Sequence, residues 1–179
     1  MGTILKYIAD HALYPCGGTV CHHCECSDKP IFSYFGEIIN PNTAKDSQLA
    51  LEEPDISELC VDCINGGYVR RSDVYEFETT IQLYSNNKDY SLRELNYLPY
   101  IPLFLQGTDW PMCCGEWSEY LGYPESNDKS IQLPNKYQYW QRGPKEWTAD
   151  YKLVPESLRE ISIFRCSKCG SKYFTWQFT

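Results

Sequence analysis

The sequence predicts an α+β protein: a small mixed or antiparallel sheet, turns built around cysteines, and one or two short helices. Three observations carry that prediction. Three Cys-x-x-Cys pairs, Cys21/Cys24, Cys60/Cys63 and Cys166/Cys169, punctuate the chain, and an adjacent pair, Cys113/Cys114, lies between the last two. Runs of β-branched and aromatic residues stand beside these pairs, at Ile31 to Ile39 and on both sides of Cys166/Cys169, as strands do. Apolar residues at helical steps are confined to short stretches near the middle.

Residues up to about 30 read as an extended lead-in followed by a knuckle, Val20 to Cys26. Ile31 to Ile39 reads as a strand that ends at the turn signal Asn40-Pro41-Asn42, and the polar residues 42–54 as loop. In the next knuckle, Leu59 to Gly67, the paired glycines permit a tight backbone. Val74, Phe77, Ile81 and Tyr84 recur at three- and four-residue steps, which predicts a helix over 72–84 capped by Ser72 or Asp73. A second short helix is predicted over 91–97, stopping before Pro99. Pro99 and Pro102 make 97–105 an extended apolar connection. Residues 126–149, rich in Pro, Asn, Gln and Tyr and without periodicity, read as a long irregular excursion. The chain closes as strand, knuckle and return strand from Ile161 to Phe178. The expected organisation is a knuckle core over 1–125 and a C-terminal extension over 126–179, packed as one globular unit.

The cysteine spacing points to metal. A turn with two cysteines two residues apart aims both sulfurs at one centre, and two such turns supply the four thiolates that a tetrahedral zinc ion takes. Ten cysteines could instead pair as disulfides. However, the N-terminus has no apolar run of export-signal length before Asp10 and His11. A cytoplasmic chain keeps its thiols reduced, so zinc is the expectation.

Site one is then Cys21, Cys24, Cys60 and Cys63, a closed four-sulfur centre of zinc-ribbon type, structural by default because a closed shell leaves no place for water or substrate. His22 and His23 read as exposed knuckle residues. Cys16 and Cys26 read as free thiols, with Cys26 also an alternative ligand. A candidate site two needs partners for Cys166 and Cys169, and Cys113 and Cys114 are the other unassigned close pair. Successive side chains diverge in extended chain. The competing reading therefore keeps one of the two as ligand and completes the shell with His11 or water.

Composition narrows the function classes. The formal net charge is −8, and residues 1–135 hold 20 acids against 8 bases, whereas 136–179 hold 4 against 8. This balance disfavours a nucleic-acid partner, although Lys168, Lys172, Tyr173, Phe174 and Trp176 mix bases with aromatics as single-strand binders do. The favoured expectation for Tyr173, Phe174, Trp176 and Phe178 is alternation between core and surface along a terminal strand. No stretch approaches a membrane span. The three histidines cluster at 11, 22 and 23, away from most thiols, and no phosphate loop, dinucleotide fingerprint or His-Glu-x-x-His occurs. A non-enzyme is expected.

Leu59-Cys60-x-x-Cys63-Ile64-x-x-Gly67, a following helix containing Phe77, and then Trp110-x-x-Cys113-Cys114-x-Glu116-x-x-x-Tyr120-Leu121-Gly122 resemble the CbrC-like family of bacterial proteins, named after a colicin-tolerance protein. The resemblance spans roughly Tyr7 to Tyr123, with Cys166/Cys169 beyond it and similar to the C-terminal knuckle of longer relatives. Cys113 stands where the family often has His, Glu116 where it has Asp, and Ser118 where it has a later Cys, so no role of that last Cys carries over. The resemblance implies an immunity protein that occludes a cognate toxin, basic and of nuclease type. Acidity agrees, since an acidic face speeds capture of a basic partner. The contact residues expected are Asp109, Glu116, Trp117, Glu119, Glu125 and Asp128, from the longest acidic run without Lys or Arg. A zinc-binding regulatory or adaptor protein without a toxin partner is the alternative, and a zinc-ribbon nucleic-acid binder a third.

Overall fold

A computed structural model describes residues 1–38, 56–101, 109–148 and 154–177. The predicted loop over 42–54 lies outside the described residues, and so do Phe178 and much of the 97–105 connection. The described residues gather into two compact units, one drawn from 14–75 and 92–101 and the other from 1–13, 76–91 and 102–179. The fold is the predicted α+β, with small, mostly antiparallel sheets and short helices.

The first unit is organised by Ile31–Ile38 (β1), the strand its β-branched and aromatic residues predict. Ile56–Cys60 (β2) pairs antiparallel with one edge, setting Ile31 opposite Cys60 and Phe32 opposite Leu59. The short helix Val61–Asn65 (α1) starts on the next residue, and Val69–Arg71 (β3) pairs with the other edge of β1. Sheet order is β2-β1-β3. Ile31, Phe32, Tyr34, Leu59, Ile64 and Val69 are buried in this unit. The Tyr34 hydroxyl, donating to the Asn96 carbonyl at 3.0 Å, and the Tyr100 amide, donating to the Ser33 carbonyl at 2.7 Å, tie the sheet to the 92–101 segment.

The predicted helix over 72–84 divides. A 3₁₀ turn runs over Val74–Phe77, and the α-helix Glu78–Tyr84 (α2) comes next. Neither proposed cap acts as one. The Ser72 hydroxyl is buried without a hydrogen-bond partner among the described residues, and both carboxylate oxygens of Asp73 accept from the Arg71 guanidinium at 2.7 and 2.5 Å. A buried arginine outcompetes backbone amides for that carboxylate, because a charge-assisted bidentate pair is stronger than a single cap. Lys88–Leu95 (α3) realises the second predicted helix, shifted toward the N-terminus.

In the second unit, Met112–Cys113 (β4) and Glu116–Trp117 (β5) form a tight hairpin, followed by Glu119–Gly122 (β6). Residues 126–148 carry more regular structure than predicted. They hold the helices Asn127–Ile131 (α4) and Leu133–Lys136 (α5) and the strands Gln138–Trp140 (β7) and Pro144–Lys145 (β8). The elements are too short for a period to show, and their signals are local. Ser126 caps α4 by accepting from the Lys129 amide, and Pro134 sits in the first turn of α5.

Ile161–Arg165 (β9) and Lys172–Trp176 (β10) are the predicted terminal hairpin. The five-stranded order is β6-β9-β10-β7-β8, antiparallel except for β10 against β7. With neighbours on both edges, β10 buries Tyr173, Phe174, Thr175 and Trp176 in succession. Core-and-surface alternation therefore fails for this strand, and so does an exposed stacking platform for single-stranded nucleic acid. Leu133, Ile161, Phe174 and Trp176 form one buried cluster with Tyr137, Tyr139 and Trp147 packed against it. The supposed excursion thus contributes core.

Candidate metal centres

The first knuckle turns through Glu25, a non-glycine residue at φ 56°. Its amide donates to the Cys21 carbonyl at 2.8 Å, and the Cys21 amide donates to the Cys26 carbonyl at 2.9 Å. A further bond from the His22 amide to the Glu58 carbonyl, 3.0 Å, ties the knuckle to β2. Cys60 ends β2 and Cys63 rides the first turn of α1, so a strand-to-helix junction supplies the other two thiols. The sulfurs of Cys21, Cys24, Cys60 and Cys63 all lie within 4.8 Å of one another. Only Cys24 is exposed.

His22 is exposed, with Nε2 3.9 Å from Glu58 Oε2. His23 departs from the expectation: it is half-buried, stacked on Tyr68 at 4.9 Å, with Nδ1 3.2 Å from Cys63 Sγ. It belongs to the shell around the sulfurs rather than to the four-sulfur set. Cys16 points away and bonds the Ile31 carbonyl at 3.5 Å.

The second centre assembles Cys113, Cys114, Cys166 and Cys169, again with all sulfurs within 4.8 Å. Adjacent cysteines diverge only if the chain between them is extended, and here it is not. The two-residue turn of the β4–β5 hairpin places Cys114 at φ 53° and Gly115 at φ 81°, the double positive φ that such hairpins favour. Leaving the strand at Cys114 swings its sulfur back to 3.9 Å from that of Cys113. The β9–β10 hairpin brings Cys169 to 3.5 Å from Cys113. His11, the competing ligand, instead places Nε2 3.1 Å from the Leu121 carbonyl.

Four sulfurs about 2.3 Å from a zinc ion stand about 3.8 Å apart along the edges of the tetrahedron. The separations at both centres, 3.8 Å between Cys24 and Cys60 and 3.5 and 3.9 Å at the second, match that spacing. They far exceed the roughly 2.05 Å of a disulfide, and all ten cysteines are free. Both sets can hold a metal ion.

Electrostatics agree with a cation-requiring site. Backbone and thiol donors of Cys26 hold Cys24 down to about 6, and the Ser171 hydroxyl and amide hold Cys169 down to about 6. Cys63 is driven well above the thiol range by burial and by Cys60, and burial raises Cys113 to about 12. Burial would raise Cys21, but hydrogen bonds from neighbouring backbone groups lower it, and the Cys169 thiol raises Cys114, so each cluster mixes thiols that lose their protons readily with thiols that resist doing so. Metal binding must displace the remaining protons, so affinity rises with pH.

The expected acidic contact face is not a surface patch. Asp109, Trp117 and Glu119 are buried. Trp117 packs edge-on against Phe77 at 5.6 Å and donates to the Ser91 carbonyl at 3.0 Å. Burial would raise Glu119, but the N-terminal amine at 2.9 Å and Arg165 at 2.8 Å more than offset it and hold the carboxyl below its usual range. Glu116 pairs with Lys168 at 3.0 Å. Glu125 and Asp128 are exposed.

Asp109 accepts from the Arg142 amide at 2.8 Å and from Gln177 at 3.4 Å, yet burial keeps its carboxyl above the usual range. A raised folded-state value means that its contribution to stability is present at low pH and lost as pH rises through that value. Asp109→Asn keeps an acceptor for Arg142 and removes the buried charge. Thermal unfolding at pH 7 should therefore show a variant at least as stable as the parent, with its relative advantage vanishing near pH 3.

Fold and geometry together define a small α+β protein carrying two four-cysteine centres able to hold metal. Residues 17–178 match the uncharacterised protein family UPF0167, and the chain belongs to that family. The match continues past residue 125 and takes in Cys166 and Cys169, so the C-terminal pair lies inside the family's region rather than beyond it. No curated protein and no solved structure matches the chain.

Proposed function

We propose that both centres bind zinc structurally and that the protein acts by binding another protein rather than by catalysis. The observation that carries this reading is the pair of closed four-sulfur sets at tetrahedral spacing. All-thiolate sets select soft or borderline metals, and a four-coordinate shell without an open position has no room for a reacting group. Zinc is the ion that needs no redox partner in such a shell.

Metal analysis of the purified protein should give two zinc ions per chain. Cys166→Ser with Cys169→Ser should lower the count to one; an unchanged count would remove the second centre from the proposal.

The partner reading rests on the net charge of −8 and on the resemblance to the CbrC-like family. On that basis the protein captures and neutralises a basic, nuclease-type toxin in the cytoplasm. Of the six contact residues expected from the sequence, the exposed Glu125 and Asp128 remain available without rearranging the core. Inducing the gene adjacent to its own, with and without this protein, tests it. Killing that this protein alone relieves supports toxin neutralisation. A harmless neighbour, or killing that persists, leaves the adaptor reading.

A further inference from the structure

The Cys21/Cys24 and Cys166/Cys169 knuckles are built to one backbone plan. In each, the first cysteine is buried and the second exposed, and the residue after the second lies at positive φ, Glu25 at 56° and Gly170 at 75°. That residue's amide donates to the carbonyl of the first cysteine, at 2.8 and 3.0 Å. The first cysteine's amide donates in turn to the carbonyl five residues on, that of Cys26 at 2.9 Å and that of Ser171 at 2.8 Å. Cys26 and Ser171 therefore hold the same position. In the second knuckle the Ser171 hydroxyl lies 3.1 Å from the Cys169 sulfur. In the first, the equivalent group is the Cys26 thiol, which interacts with the Cys24 and Cys60 sulfurs.

A hydroxyl there can only hydrogen-bond to the exposed sulfur, whereas a thiol can bond to it covalently. We propose that Cys24 and Cys26 form an oxidation site, in which peroxide couples the two sulfurs and so removes Cys24 from the first metal centre while the second centre, with Ser171, is spared. The geometry permits the bond. A left-handed helical residue between two neighbours draws their Cα atoms to about 5.5 Å, within the roughly 4.4–6.8 Å that a disulfide spans. Both thiols can be reached from solvent, Cys24 being exposed and Cys26 partly so.

The chemistry balances with hydrogen peroxide as oxidant. The Cys24 sulfur attacks one peroxide oxygen, the O–O bond breaks, and the departing hydroxide takes up a proton as water, leaving a sulfenic acid on Cys24. The Cys26 sulfur then attacks the Cys24 sulfur. The S–S bond forms, the S–O bond breaks, and hydroxide leaves with the Cys26 proton as a second water. Two thiols lose two electrons, and one peroxide becomes two waters. Cys21, Cys60 and Cys63 are then left as the first set.

The inference rests on the reading that both centres hold zinc, and two readouts keep the failures apart. Zinc-loaded protein is treated with peroxide beside a metallochromic chelator, and the same samples are peptide-mapped without reductant. Two-phase release is expected, one zinc leaving at least tenfold faster than the other, with a Cys24–Cys26 link 2 mass units below the reduced peptide. Cys26→Ser should retain two zinc ions as purified and lose both the fast phase and the link. Ser171→Cys should make the second zinc fast. A purified protein with fewer than two zinc ions defeats the metal reading, while the peptide link still reports on the oxidation site. A fast phase that survives in Cys26→Ser, or oxidation that joins other cysteines, overturns the inference.

Discussion

Replacing Cys60 and Cys63 together with serine is expected to abolish the fold of the unit drawn from 14–75 and 92–101. The unit spans about 70 residues, a size at which an apolar core alone supplies only about 3–5 kcal/mol. Structural zinc contributes about 10–16 kcal/mol in small metal-dependent domains at neutral pH. The paired substitution removes half the ligand set and also unpins the β2–α1 junction, because Cys60 stands opposite Ile31 in the β1–β2 register. Hydrogen exchange should show protection lost across β1, β2 and β3, and the zinc content should fall by one ion per chain. The same loss should appear in the parent protein on strong chelation. Protection that persists in both experiments would mean that the apolar core holds this unit without metal.

The next largest effect is expected at Arg71. Its side chain is 2% exposed and that of Asp73 7%, so each is the other's charge compensation in a low-dielectric setting. The guanidinium also donates to the Leu98 carbonyl at 3.3 Å, and the Arg71 amide donates to Asn96 Oδ1 at 3.0 Å, which fastens the 92–101 segment to β3. Arg71→Met strands a buried carboxylate, which typically costs about 3–5 kcal/mol. Adding Asp73→Leu to the same chain should restore most of the loss, because replacing a whole buried pair by apolar residues is often close to neutral. Urea unfolding of the single variants and the double variant gives the cycle. Equal losses in Arg71→Met and in the double variant would assign the cost to the bonds with 92–101 rather than to the stranded charge.

The two four-cysteine sets able to hold metal were legible in the sequence to the extent that their chemistry is local. Two cysteines two residues apart already encode a turn that aims both sulfurs at one point, and the strands beside them declare themselves by composition. The Cys113/Cys114 pair was only half legible. Its doubt came from assuming extended chain, and the sign against that assumption was Gly115, since a residue followed by glycine between two short strands marks a hairpin of double positive φ.

The acidic face was misleading for a different reason. Asp109 and Glu119 look like surface residues in a base-free run, but their partners Arg142, Gln177 and Arg165 arrive from far along the chain. Burial of a charge is decided by such distant groups, which no local pattern announces. Asp73 is a different case, because its value as a cap was cancelled by a neighbour only two residues away once both were buried.

The interleaving of the two units bears on the order of events during synthesis. The first 13 residues belong with partners made much later: Ile8 bridges to Tyr120, and the Ala9 amide donates to the Tyr120 carbonyl at 2.9 Å. β6 in turn needs β9, which is made some forty residues later still. At about 5–20 residues per second, the leading segment waits on the order of ten seconds or more before its pairing surface exists. In that interval the residues from 14 to 101 have left the ribosome with all four thiols of the first centre. A nascent chain can therefore assemble its first four-cysteine set and close one unit while the segment ahead of it is still unpaired.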